Sequence, residues 1–255
     1  MRDEAPRAHH LVGGATQGEP VRPAQRRGRG FTLIDLLVSL SVITLLIGLL
    51  LPSLGLVRET TRRLVCASNV RQLALGLAMY AEDNRAALPV TVHATAVGEV
   101  AEPPVQMTMK VRTPGPDWDG LGLLYTLEYL PAPGVFYCPS HRGHHPRAQY
   151  EARWTEQDAA SPTTIFSNYQ YRAIDPQGRP VRLFEVPTLA LVTDGLFTAL
   201  DFNHLVGANT LWNDLSVSWF AASAQQLNLP ASEAESDPAD IQAAWSAIDA
   251  APKNR

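Results

Sequence analysis

Cysteine is nearly absent. Cys66 and Cys138 are the only two in 255 residues, which excludes a disulfide-dense small scaffold. A Gly-x-Ser-x-Gly nucleophile turn and a phosphate-binding loop are also missing, so the chain offers no catalytic residue and reads as something other than an enzyme, with no cofactor implied. No dense Asp/Asn loop of the calcium-binding kind is present, and Asp194, Asp201 and Asp214 read as turn formers. The formal charge is -4, and a basic first 30 residues leave an acidic remainder without an Arg or Lys run. That balance argues against nucleic acid as the main partner.

Long apolar runs are equally scarce, and the one that is present organises the chain. Phe31 to Leu51 is 21 residues with one ionisable side chain, Asp35. At about 1.5 Å per helical residue it spans roughly the 30 Å hydrocarbon core of a bilayer. It exceeds the apolar core of a secretory signal, and no small-x-small cleavage site follows it. A lone carboxylate in lipid costs at least ~2.5 kcal/mol, so Asp35 needs a partner. Pro52 closes the run, removes a backbone donor and predicts a kink rather than an end, because helical spacing resumes at once. Cys66, Val70, Leu73, Leu77 and Tyr80 fall on one helix face, with Arg58, Arg62, Arg63 and Asn69 as polar surface. The helix should end between Ala81 and Ala87, ahead of Leu88-Pro89.

Residues 1 to 25 mix Pro, Gly and charges without apolar periodicity and read as a disordered leader. Beyond the long helix, Val90 to Val100 and Val105 to Val111 alternate like strands, and Thr113 to Asp119 reads as a loop. Leu121 to Leu130 suits a short helix, Phe136 to Pro139 a brief buried piece, and Arg142 to Pro162 a polar irregular segment. Ile165 to Tyr171, Val181 to Phe184, Leu189 to Thr193, Thr210 to Trp212 and Val217 to Phe220 are β-prone runs between turn residues, which predicts an antiparallel sheet. After Ala221 comes an Ala-rich acidic tail in which Asp237 and Pro238 open a short helix, with Ile241, Ala244, Trp245 and Ile248 on one face.

Gly30, Phe31, Thr32, Leu33, Ile34 and an acid resemble the signal of type IV prepilins and type II secretion pseudopilins, whose pattern is Gly, Phe, Thr, Leu, Ile, Glu. The resemblance implies cleavage between Gly30 and Phe31 by a prepilin peptidase and N-methylation of Phe31. It makes Asp35 the acid that pairs with a neighbouring subunit's N-terminus, and Pro52 the helix-kinking proline. Asp is one methylene shorter than the family's Glu. His204, nine residues, then Asp214 resembles the His, nine residues, Asp-Gly signature of a group of pilin-like proteins, with Leu215 in place of Gly. Leu51-Pro52, Arg62-Arg63, Cys66, Asn69, Gln72, Trp118-Asp-Gly, Phe136-Tyr-Cys-Pro-Ser and Leu191-Val-Thr-Asp-Gly echo the same group.

The expectation is therefore an α+β, pilin-like chain: a leader over 1–30, a transmembrane half-helix over 31–52, a soluble half over 53–87, a head over 88–220 carrying the sheet, and a tail over 221–255. Its implied place is the inner membrane, single pass, with the N-terminus cytoplasmic and the head periplasmic or extracellular. Its partners would be the peptidase, other pilin-like subunits and the bilayer. The residues also admit a single-pass anchored binding protein that does not polymerise. Cys66 and Cys138 are either a disulfide closing a long loop or two buried thiols. Cys138, His141, His144 and His145 have metal-capable side chains, but their loose spacing reads as a solvated loop, and no metal site is assigned.

Overall fold

The computed structural model describes residues 30–91, 107–110, 118–154, 164–232 and 237–253. Most of the leader, most of the expected strand over 90–100 and much of the 113–119 loop lie outside them. The chain divides into two compact units, Met1–Leu50 and Leu51–Arg255. Helix α1 (Leu33–Asp83) runs from the first unit into the second and includes Pro52.

In the first unit, the 19 residues Leu33–Leu51 are long and apolar enough to cross a membrane, and none of them is buried. Their entry is capped. The Thr32 hydroxyl oxygen accepts the Asp35 N–H at 3.2 Å, and Asp35 Oδ2 accepts the Thr32 N–H at 3.0 Å. This is a reciprocal capping box, with Asp filling the place usually held by Glu or Gln. Ser39, Ser41 and Thr44 donate their hydroxyls to carbonyls one turn back, so each polar group is satisfied within the helix.

In the second unit, α1 turns one face to protein. Cys66, Val70, Leu73 and Leu77 are fully buried in a core shared with Met109, Leu124, Phe136, Tyr169, Tyr171, Leu191 and Leu211. The helix stops at Asp83, where Arg85 and Ala86 take left-handed conformations (φ 56° and 64°) and the Ala86 N–H reaches back to the Ala81 carbonyl. Strand β1 (Thr108–Lys110) and α2 (Gly122–Thr126) follow, then a 3-10 turn over Pro133–Phe136.

Within the segment expected to be polar and irregular, Arg142 to Pro162, the described residues instead include α3 (Arg147–Tyr150) and a 3-10 turn over Glu151–Trp154, and residues 155–162 lie outside them. Tyr150 and Trp154 are buried there, and Trp154 stacks on Phe136 with ring centres 5.4 Å apart. The expected strand over 165–171 is two strands in different sheets. β2 (Ile165–Phe166) pairs antiparallel with β1, while β3 (Tyr169–Tyr171) pairs with β4 (Ala190–Asp194). Val181 to Phe184 is not a strand; Arg182 makes a lone bridge to Ala87. β5 (Ala208–Trp212) and β6 (Val217–Phe220) complete an antiparallel sheet in the order β3-β4-β5-β6. The described residues are thus a mixed α+β arrangement.

Both faces of this sheet are covered. Leu191 and Leu211 enter the core that holds α1, while Ala190, Ala208 and Trp212 enter a second core with Ile241, Ala244, Trp245 and Ile248 of α4 (Pro238–Ala250). Asp237 caps α4 by accepting the Ala239 N–H, with Pro238 at the first helical position. A polar clamp fixes the helix to the sheet. Arg172 donates to the Ala190 carbonyl and to both oxygens of Asp249, which also accepts the Ala190 N–H at 2.8 Å. Burying the guanidinium costs desolvation, and the bidentate carboxylate offsets it.

Candidate functional site

One end of the sheet's central strands and helix α1 converge on one polar cluster. Cys66 comes from α1, Cys138 follows the 3-10 turn at Phe136, Asp194 ends β4, and His204 stands in the β4–β5 loop. All four are buried, and one donor atom from each lies within 4.8 Å of every other. Cys66 Sγ is 3.1 Å from Asp194 Oδ1, Cys138 Sγ is 3.4 Å from His204 Nε2, and His204 Nε2 is 3.9 Å from Asp194 Oδ2. Both cysteines are free thiols.

Each donor is held by a further group. Asn203 donates to Asp194 Oδ1 at 3.0 Å and the Asn209 N–H to Oδ2 at 2.8 Å, which locks the carboxylate plane. The Tyr169 hydroxyl donates to Cys66 Sγ at 3.3 Å. Asn168 accepts the Cys138 N–H through its side chain, and its carbonyl accepts from Asn203. His204 Nδ1 faces Glu59 Oε1 at 2.7 Å, and the Ser140 hydroxyl lies 3.0 Å from both oxygens of that carboxylate. Beyond the imidazole, the Trp219 ring sits 5.7 Å away, with the Arg63 guanidinium over it.

The electrostatics follow from this packing. Burial pushes the Cys66 thiol well up. Cys138 is equally hidden from water, yet the Cys66 thiol and His204 hold it below the ordinary cysteine value. Burial alone would lower His204, but Cys138, Asp194 and Glu59 raise it to about 9. Glu59 is penalised by partial burial, and its contacts with His204 and Ser140 still bring it below the usual glutamate value. The cluster thus brings two thiols, an imidazole and a carboxylate together out of contact with water.

Other expected residues fall elsewhere. Asp214 is no companion of His204. It caps the β5–β6 turn by accepting the Ser216 N–H and pairs with Lys253 at 2.7 Å. Leu215, where the signature has Gly, takes φ 65°, the left-handed value for which Gly is the usual residue. Asp201 does sit in a turn, closed on Thr198, whereas Asp194 ends β4, and both are fully buried. The His-rich loop is not simply solvated: the His141 side chain is 3% exposed and bonds Asn203, and His145 stacks on Phe166 at 4.4 Å. Asp201, Asn203 and Tyr150 supply the polar partners that let this loop turn inward. Gly30, Phe31 and Asp35 lie in the first unit, where Asp35 serves the capping box.

In the sequence Asp194 reads as a turn former and as part of the Leu191-Val-Thr-Asp-Gly stretch, and nothing there marks Glu59, Asn203 or Tyr169. Cys66, Cys138, Asp194 and His204 are too far apart in sequence to form a short ligand motif, and only the fold brings them together. Comparison with known proteins found no matching family model, curated protein or solved structure.

Proposed function

We propose that this chain is a pilin-like or pseudopilin-like structural subunit. It is cut after Gly30, N-methylated at Phe31, held in the inner membrane by the apolar half of α1 with the head on the periplasmic or outer side, and assembled with other pilin-like subunits into a filament or secretion pseudopilus. The observation that carries this reading is the junction at residue 30: Gly-Phe-Thr-Leu-Ile-Asp leads directly into a helix whose first 19 residues are apolar and unburied.

The physics of assembly is consistent with that junction. Cleavage leaves a positive amine at Phe31, and N-methylation keeps the charge. Two opposite charges ~4 Å apart attract by about 4 kcal/mol at an effective dielectric of 20. An amine on one subunit and Asp35 on the next make a head-to-tail contact, which propagates as an open helical filament.

Intact-mass measurement of protein extracted from membranes tests the reading. A mature chain beginning at methylated Phe31 is expected, and Gly30→Val should leave the full-length form uncut. An uncleaved Met1 form in cells with active peptidase overturns it and favours a permanently anchored binding protein.

A further inference from the structure

We propose that Cys66, Cys138, Asp194 and His204 form a structural zinc site that ties α1 to the sheet. This inference does not depend on processing at Gly30 or on filament assembly.

The donor set selects the metal. Two thiolates and an imidazole suit a borderline-soft divalent ion, and a carboxylate completes a four-donor shell of the kind zinc accepts. Calcium and magnesium require oxygen ligands, so the sulfurs exclude them. The spacing also fits. Zinc bonds of roughly 2.0 to 2.3 Å in a tetrahedron place neighbouring donors roughly 3.3 to 3.8 Å apart. Three of the donor separations, 3.1, 3.4 and 3.9 Å, lie around that range, and all lie within 4.8 Å, so binding needs only small side-chain adjustments.

The surroundings match a ligated centre better than two ordinary buried thiols. A metal-bound histidine needs its distant nitrogen held by an acceptor, so that the lone pair of the other nitrogen faces the ion. Glu59 does this for His204: Nδ1–H donates to Oε1, which leaves Nε2 directed at Cys138 and Asp194. Asn203 and the Asn209 N–H fix the Asp194 carboxylate in the same way. All four ligand residues are buried, so no open position is left for substrate, and the site is closed as structural zinc sites are. Burying an aspartate beside two thiols is costly unless positive charge compensates, and a divalent ion supplies it at the centre of the cluster. The four ligands come from α1, the segment after the Phe136 turn, the end of β4 and the β4–β5 loop. One ion therefore cross-links segments distant in sequence.

The test uses the full chain, purified in detergent under reducing conditions without added chelator, and then stripped and titrated with Zn2+. One zinc per chain is expected, together with a melting temperature that falls on stripping and recovers with Zn2+. Cobalt exchanged for zinc should give thiolate-to-metal charge-transfer absorption and the visible bands of a tetrahedral ion. Cys138→Ser and His204→Ala should each lower zinc affinity at least about 100-fold. Glu59→Gln, which retains volume and touches no ligand atom of the ion, should lower it about 10- to 100-fold. Should Cys138→Ser fail to fold, the cobalt spectrum of the wild-type chain decides alone. Absence of zinc both as purified and after titration overturns the proposal. So does a Cys66–Cys138 disulfide in protein taken from cells with thiols blocked, zinc binding unaffected by Cys138→Ser and His204→Ala, or a cobalt spectrum without thiolate bands.

Discussion

Single residues show where the packing has no slack. A Cβ on Gly143 would stand 1.9 Å from Asp201 Oδ1, the oxygen that accepts the His144 N–H. Gly143→Ala should therefore destabilise the chain by about 2–3 kcal/mol, by displacing the buried Asp201 side chain and breaking its partly buried hydrogen bond to His144. Gly178→Ala provides the contrast. Gly178 has φ 77° but open space around it, so only the cost of the left-handed backbone, about 1 kcal/mol, is expected. Denaturant midpoints of the two variants should rank in that order. His145 gives a pH signature in the same loop. Burial against Phe166 holds it down at about 4, so the folded protein keeps it neutral while the unfolded chain takes up a proton near pH 6.5. Its contribution is then fully present above about pH 6.5 and declines as pH falls toward 4. Comparing melting at pH 7 and pH 5, His145→Phe should lessen the acid-induced loss by on the order of 1 kcal/mol.

Among the elements, α4 is held by its apolar face and by a polar clamp, and removing the clamp makes a local prediction. Asp249→Ala leaves the buried Arg172 guanidinium and the Ala190 N–H without their carboxylate. A loss of about 3 kcal/mol is expected for an ion pair broken on one side. Hydrogen exchange should quicken first in 238–250, while the β5–β6 hairpin keeps its protection. This helix was legible in the sequence because its signals are local: Asp237 and Pro238 mark the start, and the stripe Ile241, Ala244, Trp245, Ile248 marks the buried face. The stripe of α1 and strands β4, β5 and β6 were legible for the same reason. Ile165 to Tyr171 misled because nothing in its apolar pattern shows that Asn168 gives its side chain to the Cys138 N–H and its carbonyl to Asn203, which parts β2 from β3. Tyr150 and Trp154 were hidden by polar neighbours. The cysteine pair was visible, but its company was not, since Asp194 and His204 reach it only through the sheet.

For the whole molecule, the central question is what the carboxylate at the head of the apolar helix does. Within the chain, Asp35 already has partners: its oxygen takes the Thr32 N–H and hydroxyl at 3.0 and 2.8 Å. A capping acid at the start of a helix also meets the positive end of its dipole, worth about 0.3–1 kcal/mol at an exposed terminus. Capping therefore explains an acid at this position without a second subunit, and the shorter Asp closes the box within its own chain. The proposed assembly asks more of the same group, namely a net negative charge for the amine of the next subunit. The two roles separate by substitution. Asp35→Asn keeps an acceptor oxygen for the Thr32 N–H but removes the charge, whereas Asp35→Ala removes both. If the charge drives assembly, both variants should insert and be cut after Gly30, and both should fall at least about 10-fold below wild type in filament incorporation, since losing even 1.4 kcal/mol per contact is a factor of ten. Should Asp35→Asn incorporate as wild type while Asp35→Ala does not, capping is the whole function of the carboxylate. The subunits would then be held by contacts other than this charge pair.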